Sequence, residues 1–132
     1  MIRIDVTSVF VDDQDRALKF YTHVLGFVTK RDITLGEARW LTVVSQAAPD
    51  GVELLLEPTS NPIAKTYQQA VFEAGIPATT FAVDDIQKEF ERLTALGVLF
   101  SMEPTPMGPV ITAVLDDACG NFIGLHQVAQ QE

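Results

Sequence analysis

One supersecondary unit occurs twice in this chain, and that repetition limits the fold more than any other feature. Val11-Asp12-Asp13 opens a stretch that runs through a charged, amphipathic segment to Leu25-Gly26-Phe27. Some seventy residues on, Val83-Asp84-Asp85 opens a second such stretch, which closes on Leu96-Gly97-Val98 and is one residue shorter from Val to Gly. Each copy ends an apolar strand, caps a helix with an aspartate, leaves that helix through a glycine suited to a left-handed residue, and enters a further apolar strand.

The segments around the two copies repeat as well. Ile2 to Val11 has strand composition, and with Val6, Ser8 and Phe10 on one face, Val9 and Val11 lie on the other. Ala17, Phe20, Tyr21, Val24 and Leu25 form one helical stripe. Phe27 to Ile33, Arg39 to Val44 and Val52 to Glu57 read as strands, with Pro49-Asp50-Gly51 as a turn. Pro58 to Pro62 is a linker, and Ile63 to Glu73 a short amphipathic helix. The second unit follows as strand Ala78 to Val83, a helix carrying Ile86, Phe90, Leu93 and Leu96 inward, and strand Val98 to Met102. A turn-rich connection from Pro104 to Pro109 leads to strands Val110 to Leu115 and Phe122 to Val128, with Ala129 to Glu132 as a frayed tail. The expected class is α+β: two βαβββ modules, about 1–58 and 77–128, joined by a linker helix within 59–76 of a single domain.

Composition narrows the function classes. The chain has 132 residues, 47% of them hydrophobic, enough to bury a core without disulfides. Its formal charge of −9 argues against nucleic acid, whose binding rests on neutralised phosphates, and against an anionic membrane surface. The one cysteine, Cys119, permits no internal disulfide and suits a reducing, cytoplasmic setting. Met1-Ile2-Arg3-Ile4-Asp5 lacks a signal-peptide pattern, and no apolar run is long enough to span a bilayer.

Val11-Asp12-Asp13, Phe20-Tyr21, Leu25-Gly26-Phe27, Gly51-Val52-Glu53-Leu54, Phe81-Ala82-Val83-Asp84-Asp85 and Asp117-Ala118-Cys119-Gly120-Asn121-Phe122-Ile123 together resemble the vicinal oxygen chelate superfamily. That superfamily includes glyoxalase I, bleomycin-resistance proteins and extradiol dioxygenases. The resemblance implies two βαβββ modules, each an open half-barrel, around a cleft. In many members a divalent metal sits there on four side chains, from the first and fourth strands of each module. The matching positions here are Val6, Glu53, Ala78 and Gly124, so one of the four ligand types survives. Valine, alanine and glycine offer no donor atom, and a lone carboxylate does not hold a transition metal tightly. The expected cofactor is therefore none or, at most, a weakly held divalent metal.

Glu53 and His126 are the candidate catalytic groups. Glu53 could act as a general base, or be a carboxylate left at the rim or satisfied by an arginine or a backbone N–H. His126, two residues beyond Gly124, could be a displaced metal ligand, a proton shuttle, a hydrogen-bond donor to the bound molecule or a strand-end histidine near solvent. Trp40 offers a flat wall for a planar ligand if it faces the cleft, and is core if it faces the helices; Phe122 has the same ambiguity. Val6, Ala78 and Gly124 would enlarge and dry the pocket. These residues lead to a metal-independent binder of a small organic ligand, and the edges of two open sheets, with the resemblance, imply a homodimer. The alternatives are a lyase or dioxygenase with a degenerate or relocated metal site, and a partner-binding module with a vestigial cleft.

Overall fold

The computed structural model describes residues 1–128. The expected fraying of 129–132 lies outside the described residues. The chain is α+β and divides into two compact units, Met1–Thr66 and Tyr67–Glu132, the division falling within a helix.

The first unit contains β1 (Val6–Val11), α1 (Gln14–Lys19) continued by a π-helical turn (Phe20–Val24), β2 (Val28–Leu35), β3 (Ala38–Val44) and β4 (Glu53–Pro58). Its open sheet has the order β1-β4-β3-β2, with β1 parallel to β4 and the other pairs antiparallel. Asp13, rather than Asp12, caps α1 by accepting from Arg16 N at 3.0 Å. The Gln14 amide bonds the carbonyls of Arg39 and Leu56, seating the helix start on β3 and β4. One face of the sheet carries Val9, Val11, Leu41, Val43, Leu54 and Leu56, buried together with Ala17 and Tyr21 of the helical segment. Arg39 also points to this side, donating to Asp15 and Asp32. Those hydrogen bonds hold the Asp32 carboxyl below its ordinary range and push Arg39 up.

β1 begins at Val6, not at Ile2. Its partner β4 begins at Glu53, so residues 2–5 have little to pair with beyond the Glu53 N to Asp5 O bond, and Ile2 and Ile4 stay exposed. The apolar alternation there is real, but strand formation needs a neighbour.

The second unit holds most of α2 (Pro62–Glu73), then β5 (Pro77–Ala82), α3 (Ile86–Ala95), β6 (Phe100–Met107), β7 (Val110–Asp116) and β8 (Phe122–Val128). Its sheet order, β5-β8-β7-β6, repeats the first topology, again with the outer first strand parallel to the last. The caps repeat too: Asp85 accepts from Lys88 N, and Gly97 has φ 89° where Gly26 has φ 90°. Gln127 accepts from Ile86 N, so the face of β8 that carries Ile123, Leu125 and Gln127 lies toward α3.

The stretch expected as a turn-rich connection, Pro104 to Pro109, is corrected by the structure: β6 runs through Pro104 and Pro106 to Met107. β6 is an edge strand, where a missing N–H costs no ladder bond on the open side, and its pairing with β7 shifts register between Phe100 and Met102 and again between Met102 and Thr105. Met107, within that stretch, thus belongs to the strand.

A buried polar knot closes the β7–β8 connection. Asp117, fully buried, accepts from Cys119 N at 2.8 Å, Asn121 N at 3.0 Å and Asn121 Nδ2 at 2.8 Å. Gln68 of α2 donates to the Cys119 carbonyl and to Asn121 Oδ1. Gly120, at φ 95°, lets the Gln68 amide approach: a Cβ there would lie 2.7 Å from Gln68 Nε2. Cys119 is buried in this turn and forms no disulfide among the described residues.

Candidate functional site

The face of the first sheet turned away from α1 gathers the candidate residues of that unit. Val6 lies in register with Glu53, Thr42 with Leu55, and Arg31 with Thr42, so these side chains share one face. Trp40, two residues from Thr42 and adjacent to the helix-facing Arg39, lies on it as well, which resolves its parity. It is 39% exposed, and Ile33, its cross-strand partner, is 44% exposed.

Glu53 is buried, with 7% of its surface exposed, and it is not alone. Thr42 Oγ1 donates to Glu53 Oε1 at 2.7 Å, and Arg31 Nε lies 3.1 Å from Oε1 and 3.4 Å from Oε2. A buried carboxylate persists when a counter-charge and hydrogen bonds replace its lost water. Here an arginine and a threonine supply those partners to Glu53.

Arg31 reaches the site through a β-bulge that sequence reasoning missed. Thr29 pairs with Val43, but Arg31 pairs with Thr42, so one extra residue interrupts the ladder at Lys30. In an unbroken ladder Lys30 would oppose Thr42 and Arg31 would point to the helix side. The bulge instead directs the guanidinium to Glu53. The adjacent cations Lys30-Arg31 were the visible signal, but which of them served the face was not.

The other candidates belong to the second unit. Gly124 is buried beside Thr80, its partner on β5, and a Cβ there would meet Thr80 Oγ1 at 2.7 Å. His126 lies opposite Thr112 and beside Ala82, half-buried, and its imidazole has no hydrogen-bond partner among the described residues. Ala78 is exposed at the register shift between Pro77 and Thr79. Phe122 is turned to α2: its ring stacks on Phe72 with centroids 4.5 Å apart and planes 5° from parallel. That contact gives Phe122 a packing role.

The four positions matched to the superfamily's ligand set do not fit a resident divalent ion. Three have no donor side chain, and the fourth is engaged by Arg31 and Thr42. Among the described residues no group of three or more His, Cys, Asp or Glu side chains could hold a metal ion.

Comparison with known proteins agrees with this architecture. The protein YurT of Bacillus subtilis (strain 168), itself uncharacterized, is 56% identical over 126 residues, covering 96% of this chain and 99% of its own. A probable chloroplastic lactoylglutathione lyase of Arabidopsis thaliana is 31% identical over 83% of this chain, which spans 31% of that longer protein. The crystal structure of TnmS3, an antibiotic binding protein from Streptomyces sp. CB03234, is 25% identical and superposes with a TM-score of 0.78, covering 98% of both chains. No helix among the described residues is long and apolar enough to cross a membrane. The family model for the glyoxalase/bleomycin resistance protein/dioxygenase superfamily matches residues 3–125. With the duplicated βαβββ topology, this match makes the chain a member of that superfamily.

Proposed function

We propose that this protein binds a small, planar organic molecule on the face of its first sheet turned away from α1, without a resident metal ion. The observation that carries the reading is the state of Glu53. The one carboxylate retained at a superfamily ligand position is tied to Arg31 and Thr42, and the exposed Trp40 and Ile33 lie farther along the same face. A flat apolar wall next to a few fixed polar groups is the usual make-up of a small-molecule site. The likeness to an antibiotic-binding protein supports a binder over an enzyme. The likeness to a probable lactoylglutathione lyase supports the second reading, a lyase or dioxygenase with a relocated metal in which His126 takes part.

Trp40 is the only tryptophan, so its fluorescence reports the site directly. Titration of untagged protein with planar aromatic compounds should give saturable quenching that a chelator leaves unchanged, and metal analysis should find well under one ion per chain. Stoichiometric Zn, Ni, Fe or Mn, together with chelator-sensitive turnover of a glutathione hemithioacetal, would establish the lyase reading instead.

The protein is further proposed to act as a cytoplasmic homodimer. Each sheet ends on an edge strand, and β2 is exposed along its whole length with Val28, Ile33 and Leu35 on it. A monomer mass by light scattering at micromolar concentration and moderate salt rejects the dimer. The buried, single thiol of Cys119 fits a reducing compartment.

A further inference from the structure

We infer that the ligand is an anion, a planar aromatic carboxylate or an equivalent oxyanion, and that Arg31 is the residue that recognises it. This inference rests on the small-molecule reading above and names the ligand's charge class. A guanidinium carries donors on Nε and on both terminal nitrogens, in a fixed plane. Arg31 spends Nε on Glu53, while its Nη1 and Nη2 groups meet no acceptor among the described residues. Its side chain is 51% exposed. The terminal edge is therefore held in place from behind and left open in front.

Three features make this edge a receptor rather than a surface cation. Glu53 is itself fixed by Thr42 Oγ1 at 2.7 Å, and Thr42 is fully buried, so the arginine's anchor does not move with solvent. A pre-oriented fork loses less freedom on binding than a free side chain, and it matches the two oxygens of a carboxylate. Ile33 and Trp40 lie on the same face of the neighbouring strand positions, offering an apolar surface to the ring that bears the carboxylate. Glu53 then acts as a positioning residue. It neutralises part of the guanidinium charge, which favours a ligand bound through two directed hydrogen bonds over a loosely attracted ion. The overall charge of −9 slows the approach of an anion at long range, but salt screens that field beyond about 8 Å at physiological ionic strength.

The test compares naphthoate with its neutral isostere naphthamide, both followed by Trp40 quenching. Wild-type protein should prefer naphthoate by at least about tenfold, the discrimination expected of one charge-assisted hydrogen-bonded pair. Arg31→Met should abolish that preference, so that the two compounds bind alike. Because this variant leaves Glu53 unpaired, the double variant Arg31→Met/Glu53→Gln, which removes both charges, serves as the folded control and should show the same loss. Arg31→Lys should keep only part of the preference, since an ammonium lacks the fork. Equal binding of the two compounds to wild type, or an unchanged preference in the double variant, overturns the anion assignment and leaves the small-molecule reading standing. Absence of quenching by either compound up to millimolar concentration overturns both.

Discussion

Asp117→Ala should lower the melting temperature by roughly 10 °C or more, the expected result of losing about 3–4 kcal/mol in a domain of this size. Asp117 is fully buried and accepts three hydrogen bonds from Cys119 N, Asn121 N and Asn121 Nδ2. Alanine leaves all three donors without that acceptor. A buried donor that loses its acceptor costs its own desolvation, about 1–3 kcal/mol each, before any relaxation. Asp117→Asn separates charge from geometry. Its amide oxygen can still accept from the backbone, but its NH2 group would face the NH2 of Asn121, so an intermediate loss is expected. Thermal denaturation followed by circular dichroism checks both, and a shift under about 3 °C for the alanine variant would show that the turn is not held by this carboxylate.

The second large effect lies in the first unit. Tyr21→Ala should cost about 3 kcal/mol or more, within the range for deleting a buried aromatic ring. Tyr21 has no exposed surface, stacks on Phe27 at 6.4 Å and meets Phe20 edge-on at 5.7 Å. It sits where α1 widens into the π-helical turn, so its ring anchors an irregular segment that has little intrinsic stability of its own. Tyr21→Phe keeps the ring and should lose far less. A urea midpoint for Tyr21→Ala within experimental error of wild type would contradict this role.

The two residues also show what was legible in the sequence. Tyr21 was placed on the inward stripe of the first helix by its spacing alone, because helical periodicity reports burial directly. The two Val-Asp-Asp motifs located both helix starts, and the structure selects the second aspartate of each pair as the cap. Asp117, by contrast, stood out only as part of a family motif. Its three donors and the amide of Gln68 come from a turn and a distant helix, and no local pattern announces such a convergence. The prolines of β6 misled for the same reason in reverse: Pro104 and Pro106 read locally as loop, and only the edge position of the strand accommodates them.

The candidate site divides likewise. Val6, Glu53 and Trp40 share a face because strand alternation is a strict rule, and once the helix side of Arg39 is known the parity of Trp40 follows. Phe122 shares the parity of Gly124, and its ring stacks on Phe72 of α2, a contact that alternation alone does not announce. The sequence reading left open whether an arginine satisfies Glu53, and it did not reach Arg31 because alternation was broken at Lys30.

That interruption makes Lys30 a one-residue phase shifter in the strand. Everything before it is counted on one parity and everything after it on the other, so the insertion decides whether an ammonium or a guanidinium stands over Glu53. Chains with the same residues around this face, but without the extra count, would present a point charge in place of a planar fork. Ligand preference among such relatives thus diverges through chain length in an edge strand, which exchanges one pocket residue for its neighbour.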